Sequence, residues 1–352
     1  MGGASTPIRE SQENVQTKQV STNASFPQRL CRLPRVGIVI LNWNGFEMTR
    51  KCIDSILGLT DYPKESLRLV IIDNGSTDGS GAELKNSFAE TIDLLELSKN
   101  LGFVKGSNMG ILHCLDVHKT DYVLLLNNDT EVLQSDWLRK LVKVCEEDEK
   151  VAIVGPCLLF PNGNVQWSAR ARERNTFYLI FQTLSTGLNP RVGRSAMGMG
   201  GSPCHFGVAN TVSGACMLIR SEFIREHDML DEALSPFFGE DVEYCFRAWE
   251  NGWKVVYRGD TTMMHHQAYS FEKDGSLAEK KFYWSMRNGI RISRRYFGLW
   301  RTVLIGGPIF LLSTVFDKKK KSDPLKLGNI RVREKLPLRF FLLFKAFVDA
   351  MR

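Results

Sequence analysis

Residues 121–132 read DYVLLLNNDTEV, an apolar run, Val123 to Leu126, that stops at Asn127, Asn128 and Asp129. A strand with one wet face alternates apolar and polar residues. An unbroken run marks a strand buried on both faces, as in a parallel sheet covered by helices. The same design occurs three times upstream. VGIVILNWNG begins at Val36, LRLVIIDNGSTDGSG at Leu67 and IDLLELSKNLGF at Ile92, and each ends in polar or glycine-rich sequence. Helical spacings lie between them. Met48, Cys52, Ile56 and Leu59 recur at threes and fours, and SDWLRKLVKVCEED follows the fourth strand with Ser135 or Asp136 as N-cap. Strands alternating with helices predict an α/β fold with a mostly parallel sheet flanked by helices. Ligands in such sheets sit beyond the carboxyl ends of the strands. One polar tip reads as an ordinary turn. Four converging tips read as a site.

The chain has 352 residues, 43% hydrophobic and 24% charged, which allows one large domain with additions and a full core. A net charge of +7 points to an anionic partner or to a solvated basic surface. Eight cysteines without a CxxC pair predict buried free thiols in a reducing compartment. The first residues show no signal-peptide core and no run of 18 clean apolar residues occurs, so the expected location is cytoplasmic. The N-x-[ST] triplets at Asn23, Asn74 and Asn128 then read as chance matches.

Residues 1–34 are polar and aperiodic, an expected disordered arm. Residues 35–298 form the main domain, within which 165–205 read as a long loop or lid. From 299 to 352 the chain turns apolar and basic, with LWRTVLIGGPIFLLSTVF, DKKKK and LPLRFFLLFKAFVDAMR in succession. This extension is expected to lie in a membrane interface beside a polybasic patch, at a membrane's cytoplasmic face. The other reading is a hydrophobic hairpin packed on the domain.

Four groups can carry chemistry. Asp73 follows a buried strand and can accept a hydrogen bond from a nucleobase imide or ribose hydroxyl, or can cap a helix start, as Asp78 also can. Asn127 and Asp129, at i and i+2, suit a divalent ion shared with phosphates, although Asn127 supplies no charge; it can instead contact a ribose hydroxyl, and a capped turn is the plainer reading. Glu240 and Asp241 stand in the first turn of a helix, where the dipole favours acids. The apolar SPFFG before them turns them toward a pocket, where a carboxylate can act as general base on an incoming hydroxyl. Of His265 and His266, adjacent on an extended strand, at most one reaches the site, and imidazole is a fair Mn2+ ligand.

In this order, VGIVILNWNG, LVIIDNGSTDGS, NLGFVKGSNMGI, YVLLLNNDTEV, VSGACMLIRS, FFGEDVEYCFRAWENGWKVVY and HH resemble the family-2 inverting glycosyltransferases of GT-A fold, in their rhamnosyltransferase-like branch. The resemblance covers about residues 36 to 296. It implies a nucleoside-diphosphate-sugar donor held by Leu41, Trp43, Asn44 and Asp73, with Asn100, Gly102 and Asn108 lining nucleotide and sugar. Asn127 and Asn128 join the donor set, and Asp129 and His265 hold Mg2+ or Mn2+. Asp241 becomes the base, with Glu240 on the acceptor. Arg287 and Asn288 match the branch without an assigned role. The later acid of the ED motif is Glu243, one methylene longer than the usual aspartate. No Q-x-x-R-W motif or clear span accompanies the match, which favours transfer of one or a few sugars to a glycan or lipid-linked acceptor.

A nucleotidyltransferase would place a basic Gly-rich loop after the first strand, and LNWNGFEMTR is a poor match. A non-catalytic nucleotide-sugar-binding protein would not need the acid pair. No G-x-G-x-x-G follows a strand, which excludes a dehydrogenase. Nucleic-acid binding explains the charge but not the strand tips.

Overall fold

The structure, a computed structural model, describes residues 32–166, 168–171, 206–266, 277–307 and 336–351. The polar arm up to residue 31, most of the expected lid and the DKKKK stretch lie outside the described residues.

The first half folds as the pattern predicts. Strands β1 (Val36–Asn42), β2 (Leu67–Asp73), β3 (Asp93–Glu96) and β4 (Tyr122–Asn127) lie in the order β3-β2-β1-β4, all parallel. Helices α1 (Phe46–Leu59), α2 (Ser80–Phe88) and α3 (Gly102–Asp116) connect them. Alternate residues of each strand enter two cores. Ile38, Ile40, Ile71, Leu124 and Leu126 pack under α1 and α2. Val39, Val70, Ile72, Val123 and Leu125 pack under α3. Each such side chain contributes roughly 1.5–3 kcal/mol of burial. Because both faces are apolar, a one-residue slip changes little in burial, so hydrophobic pattern alone does not set register. The polar tips do. Asn42 stands opposite Asp73, Asp73 opposite Glu96, and Leu41 opposite Asn127. Helix α3 approaches β1 closely because glycines face it: a Cβ on Gly106 would meet Leu41 Cδ2 at 2.8 Å.

The second half departs from the expectation of a mostly parallel sheet. After β5 (Thr130–Val132) and α4 (Trp137–Glu147) come β6 (Val151–Leu159), β7 (Ala169–Ala171), β8 (Phe206–Val212) and β9 (Cys216–Arg220). Then follow α5 (Ser221–His227), α6 (Glu240–Glu250), β10 (Lys254–His265), α7 (Leu277–Phe297) and, after short helical turns, α8 (Leu336–Met351). Beyond β4 the order is β9-β6-β10-β8-β7, with β5 also paired to β10, and only β6 and β10 run parallel there. The sheet is therefore mixed. Both β8 and β9 run opposite to β6 and β10, and Ser213–Ala215 between them is too short for a helical crossover. Instead Val212 rests on Gly155 of β6, where a Cβ would come within 2.6 Å of Val212 Cβ. The chain crosses there and enters between β4 and β6 as β9.

Six cysteines among the described residues are buried and form no disulfide: Cys52, Cys114, Cys145, Cys157, Cys216 and Cys245. Asp136 is the N-cap of α4, without a capping hydrogen bond from its side chain. Helix α8 packs Ala346 and Ala350 against Met286 and Ile290 of α7. Arg291 and Arg294 donate to the carbonyls of Asp349 and Met351, closing the open end of α8. Its outer side leaves Phe341 and Phe344 exposed. No described helix is long and apolar enough to cross a membrane.

Candidate active site at the strand tips

The tips of β1, β2 and β4 are joined by a chain of hydrogen bonds centred on Asn42, a fully buried residue. Asn42 Nδ2 donates to Asp73 Oδ1 at 2.8 Å and to Ser80 Oγ at 2.9 Å. Its Oδ1 accepts from Thr49 Oγ1 at 2.8 Å, and Thr49 in turn accepts from Asn128 Nδ2 at 2.9 Å. Asp73 also accepts from Ser76 Oγ, and its Oδ2 lies against Gly81 at the start of α2. Asp78 makes the local turn there, accepting from Ser80 N at 3.0 Å. Asn44, with φ at +51°, accepts from Thr77 N at 2.8 Å and so ties the β1 tip to the loop after β2. Between two engaged asparagines, Trp43 stands 41% exposed at the rim.

A second link runs from β2 to α3. Asn74 accepts from Leu101 N at 2.9 Å and donates to Asn100 Oδ1 and Gly102 O. Gly102, φ +83°, has no room for a Cβ, which would lie 2.7 Å from Pro236 Cβ. Asn108 holds a different place from a pocket-lining one. Its amide exchanges two bonds with the backbone of Leu230, at 2.9 and 3.1 Å, and fastens α3 to the segment before α6.

At the tip of β4 the turn into β5 brings Asp129 beside the end of β10, where His265 stands opposite Thr130. His265 Nε2 lies 3.2 Å from Asp129 Oδ1, and Asn127 Nδ2 makes a long 3.4 Å contact with the same nitrogen. His266 turns the other way, to Glu131 Oε1 at 2.7 Å. The tautomer of His265 follows from Gln166. The amide nitrogen of Gln166 donates to two carbonyls, Leu159 O and His265 O, which can only accept. Gln166 Oε1 therefore faces His265 Nδ1, 2.9 Å away, and that nitrogen carries the proton. The Nε2 lone pair then looks at a carboxylate oxygen. Two acceptors so close require a cation between them, a proton or a metal ion. The pair fits a divalent metal, and a nitrogen ligand suits Mn2+ better than Mg2+.

The acid pair is placed by the crossing strand. Gly214 N donates to Asp241 Oδ2 at 3.0 Å, and the neighbouring Ala215 O accepts from Asn127 N at 2.9 Å. One turn thus touches both the β4 tip and the start of α6. Asp241 Oδ1 also accepts from Val242 N at 2.8 Å. Glu240 differs. Its Oε2 is buried without a hydrogen-bond partner. Burial, and then the charge of Asp241, push its carboxyl up to about 8, so it is largely protonated at neutral pH.

Arg287 and Asn288 have a positional role. Asn288 Nδ2 donates to the carbonyls of Leu234, Phe237 and Phe238. Arg287 holds Asn288 Oδ1 and Ser235 O. Phe238 has φ +80°, a left-handed conformation that a bulky residue adopts only when held. Asn288 supplies the hold, immediately before Gly239 and the acid pair.

Asn42, Asn74, Gln166 and Gly214 were not among the residues singled out from sequence. Asn42 and Asn74 carried a signal, since each is a polar residue at the end of a buried run. Gln166 carried none, being 99 positions from the histidine it orients.

With this geometry in view, comparison with known proteins is decisive on one point. The model of glycosyltransferase like family 2 matches residues 34–285, from the start of β1 into α7. The chain belongs to that family. Among relatives, the O-antigen biosynthesis protein RfbC of Myxococcus xanthus is 25% identical over 275 residues, 75% of this chain and 20% of that protein. The dTDP-rhamnosyl transferase RfbF of Shigella flexneri is 23% identical over 209 residues, 59% of this chain and 62% of that protein. The chain spans only about a fifth to a quarter of the length of two of its curated relatives. The fold is similar to GalNAc-T7 solved with UDP, GalNAc and Mn2+, at TM-score 0.56 and 17% identity, covering 87% of this chain and 55% of that one. It is also similar to the mannosyltransferase PcManGT from Pyrobaculum calidifontis with GDP-Man and Mn2+, at TM-score 0.54 and 15% identity, covering 91% and 88%. These likenesses give a GT-A type α/β fold, and the rhamnosyl relative agrees with the branch named from sequence.

Proposed function

We propose that this family member is an inverting glycosyltransferase that moves a sugar from a nucleoside diphosphate to a hydroxyl of a glycan or lipid-linked acceptor. The carrying observation is that one turn, Gly214–Ala215, contacts both the tip of β4, with its cation-ready Asp129–His265 pair, and the carboxylate of Asp241. Asp241 takes the proton of the acceptor hydroxyl as its oxygen bonds to the anomeric carbon. The bond from that carbon to the diphosphate breaks on the opposite face, and the nucleoside diphosphate leaves with the electron pair. A divalent ion on Asp129 and His265 would supply positive charge to the leaving diphosphate. Glu240, kept neutral, can donate its proton in a hydrogen bond to the acceptor. The donor lies along Leu41, Trp43, Asn44 and Asp73, with Asn100, Gly102, Asn127 and Asn128 beyond. The name of the rhamnosyl relative favours a dTDP-deoxyhexose among donors.

The reading includes a place at the cytoplasmic face of a membrane. Phe340, Phe341, Phe344 and Phe347 of α8 and Trp300 and Leu304 are exposed, and four lysines, 318–321, lie between these two groups in sequence. Apolar exposure beside basic charge suits peripheral attachment to anionic lipid.

Titration with UDP, GDP and dTDP sugars, with and without Mn2+ or Mg2+, tests the reading. Metal-dependent binding of one nucleotide class is expected. Failure of every nucleotide to bind would overturn it.

A further inference from the structure

Helix α3 ends in ILHCLDVHK, which spaces His113 and His118 by one folded-back turn. The carbonyl of His113 accepts from Val117 N at 3.0 Å and His118 N at 3.5 Å. That reversal sets the two imidazoles edge to face, centroids 5.0 Å apart. Asp93, the first residue of edge strand β3, joins them: its Oδ2 is 2.7 Å from His118 Nε2. One ligand atom from each residue lies within 4.8 Å of the other two, the only such trio of His, Cys, Asp or Glu found among the described residues. His113 Nε2 is buried and has no hydrogen-bond partner. Such an atom calls for a missing partner. Cys114, between them in sequence, points instead at Gly37.

We propose that Asp93, His113 and His118 bind a Zn2+ ion that clamps the carboxyl end of α3 to edge strand β3. Two imidazoles and one carboxylate are a zinc donor set, whereas Mg2+ and Ca2+ take oxygens. Neighbouring ligands of a tetrahedral zinc lie about 3.3 Å apart, so the trio closes by side-chain rotation and leaves a fourth position for water. The site sits at the amino end of β3, roughly three turns of α3 from the strand tips. It is separate from the Asp129–His265 pair and does not depend on the transferase reading.

The probe is Zn2+ itself, titrated against a chromogenic chelator into the EDTA-stripped full chain. The wild type and a His265→Gln variant are expected to keep this zinc, with a rise in Tm of about 3 °C at a hundredfold excess over Kd. A His113→Gln/His118→Gln double variant is expected to lose about a hundredfold in affinity and the rise in Tm. Asp93→Asn, an isosteric change of a half-exposed side chain, serves if the double variant fails to fold and is expected to weaken binding about tenfold. Zinc affinity unchanged in these variants, or lost entirely in His265→Gln, would overturn the proposal.

Discussion

Glu240 and Glu243 stand one turn apart on α6, Glu243 buried and Glu240 part-buried with one oxygen out of reach of water, and their surroundings are opposite. Glu243 has every oxygen partnered: Arg247 at both, with Arg295 at 3.1 Å and Tyr296 at 2.8 Å on Oε1. Glu240 has a buried oxygen with no partner. A buried charge surrounded by donors is architecture, here a clamp between α6 and α7. A buried carboxyl oxygen without one is left for something that arrives later. Glu243, the later acid of the ED motif and one methylene longer than the usual aspartate, therefore belongs to the frame.

The contrast can be broken most sharply next door. Asp241→Asn is expected to lower kcat by about 10³ while donor affinity stays within twofold, since a lost general base costs 10²–10⁴; steady-state kinetics with calorimetry of donor binding reads both. Glu243→Gln should act on stability instead, losing about 3 kcal/mol in urea titration because Arg247 is left buried without its charge. If Glu243→Gln stayed fully stable but inactive, the division between frame and site would fail. Asp129→Ala is expected to weaken donor binding in Mn2+ by roughly ten- to a hundredfold, with little change in EDTA. The smallest effect belongs to Glu240→Gln, read by pH. Burial, and then the charge of Asp241, raise the Glu240 carboxyl in the folded chain above its ordinary unfolded range, so the folded chain holds the extra proton and loses stability as pH rises from the one to the other. The glutamine variant lacks that slope, so it should be more stable than the parent at about pH 8 and equal to it near pH 4.

Much of the donor half was legible because each element is local. A buried run, a polar tip and an amphipathic helix all announce themselves within some fifteen residues, as Leu124–Asp129 does. The other half was not, because its decisive contacts join distant residues. The crossing of β8 over Gly155 leaves no periodic trace. Nothing near His265 indicates Gln166, and nothing near Glu240 indicates Asn288. Asn108, which the resemblance placed along nucleotide and sugar, has its amide engaged with the backbone of Leu230.

The chain of bonds from Asp73 through Asn42 and Thr49 to Asn128 has one more consequence. Three strands are fixed tip to tip by side chains that have little room to give, so the span from the β2 tip to the β4 tip behaves as a ruler of constant length. Under the proposed function, a donor laid along it would be measured before any chemistry begins. On that same proposal, a molecule one phosphate short or long would find its sugar misaligned with Asp241, and selection by length would come ahead of selection by base.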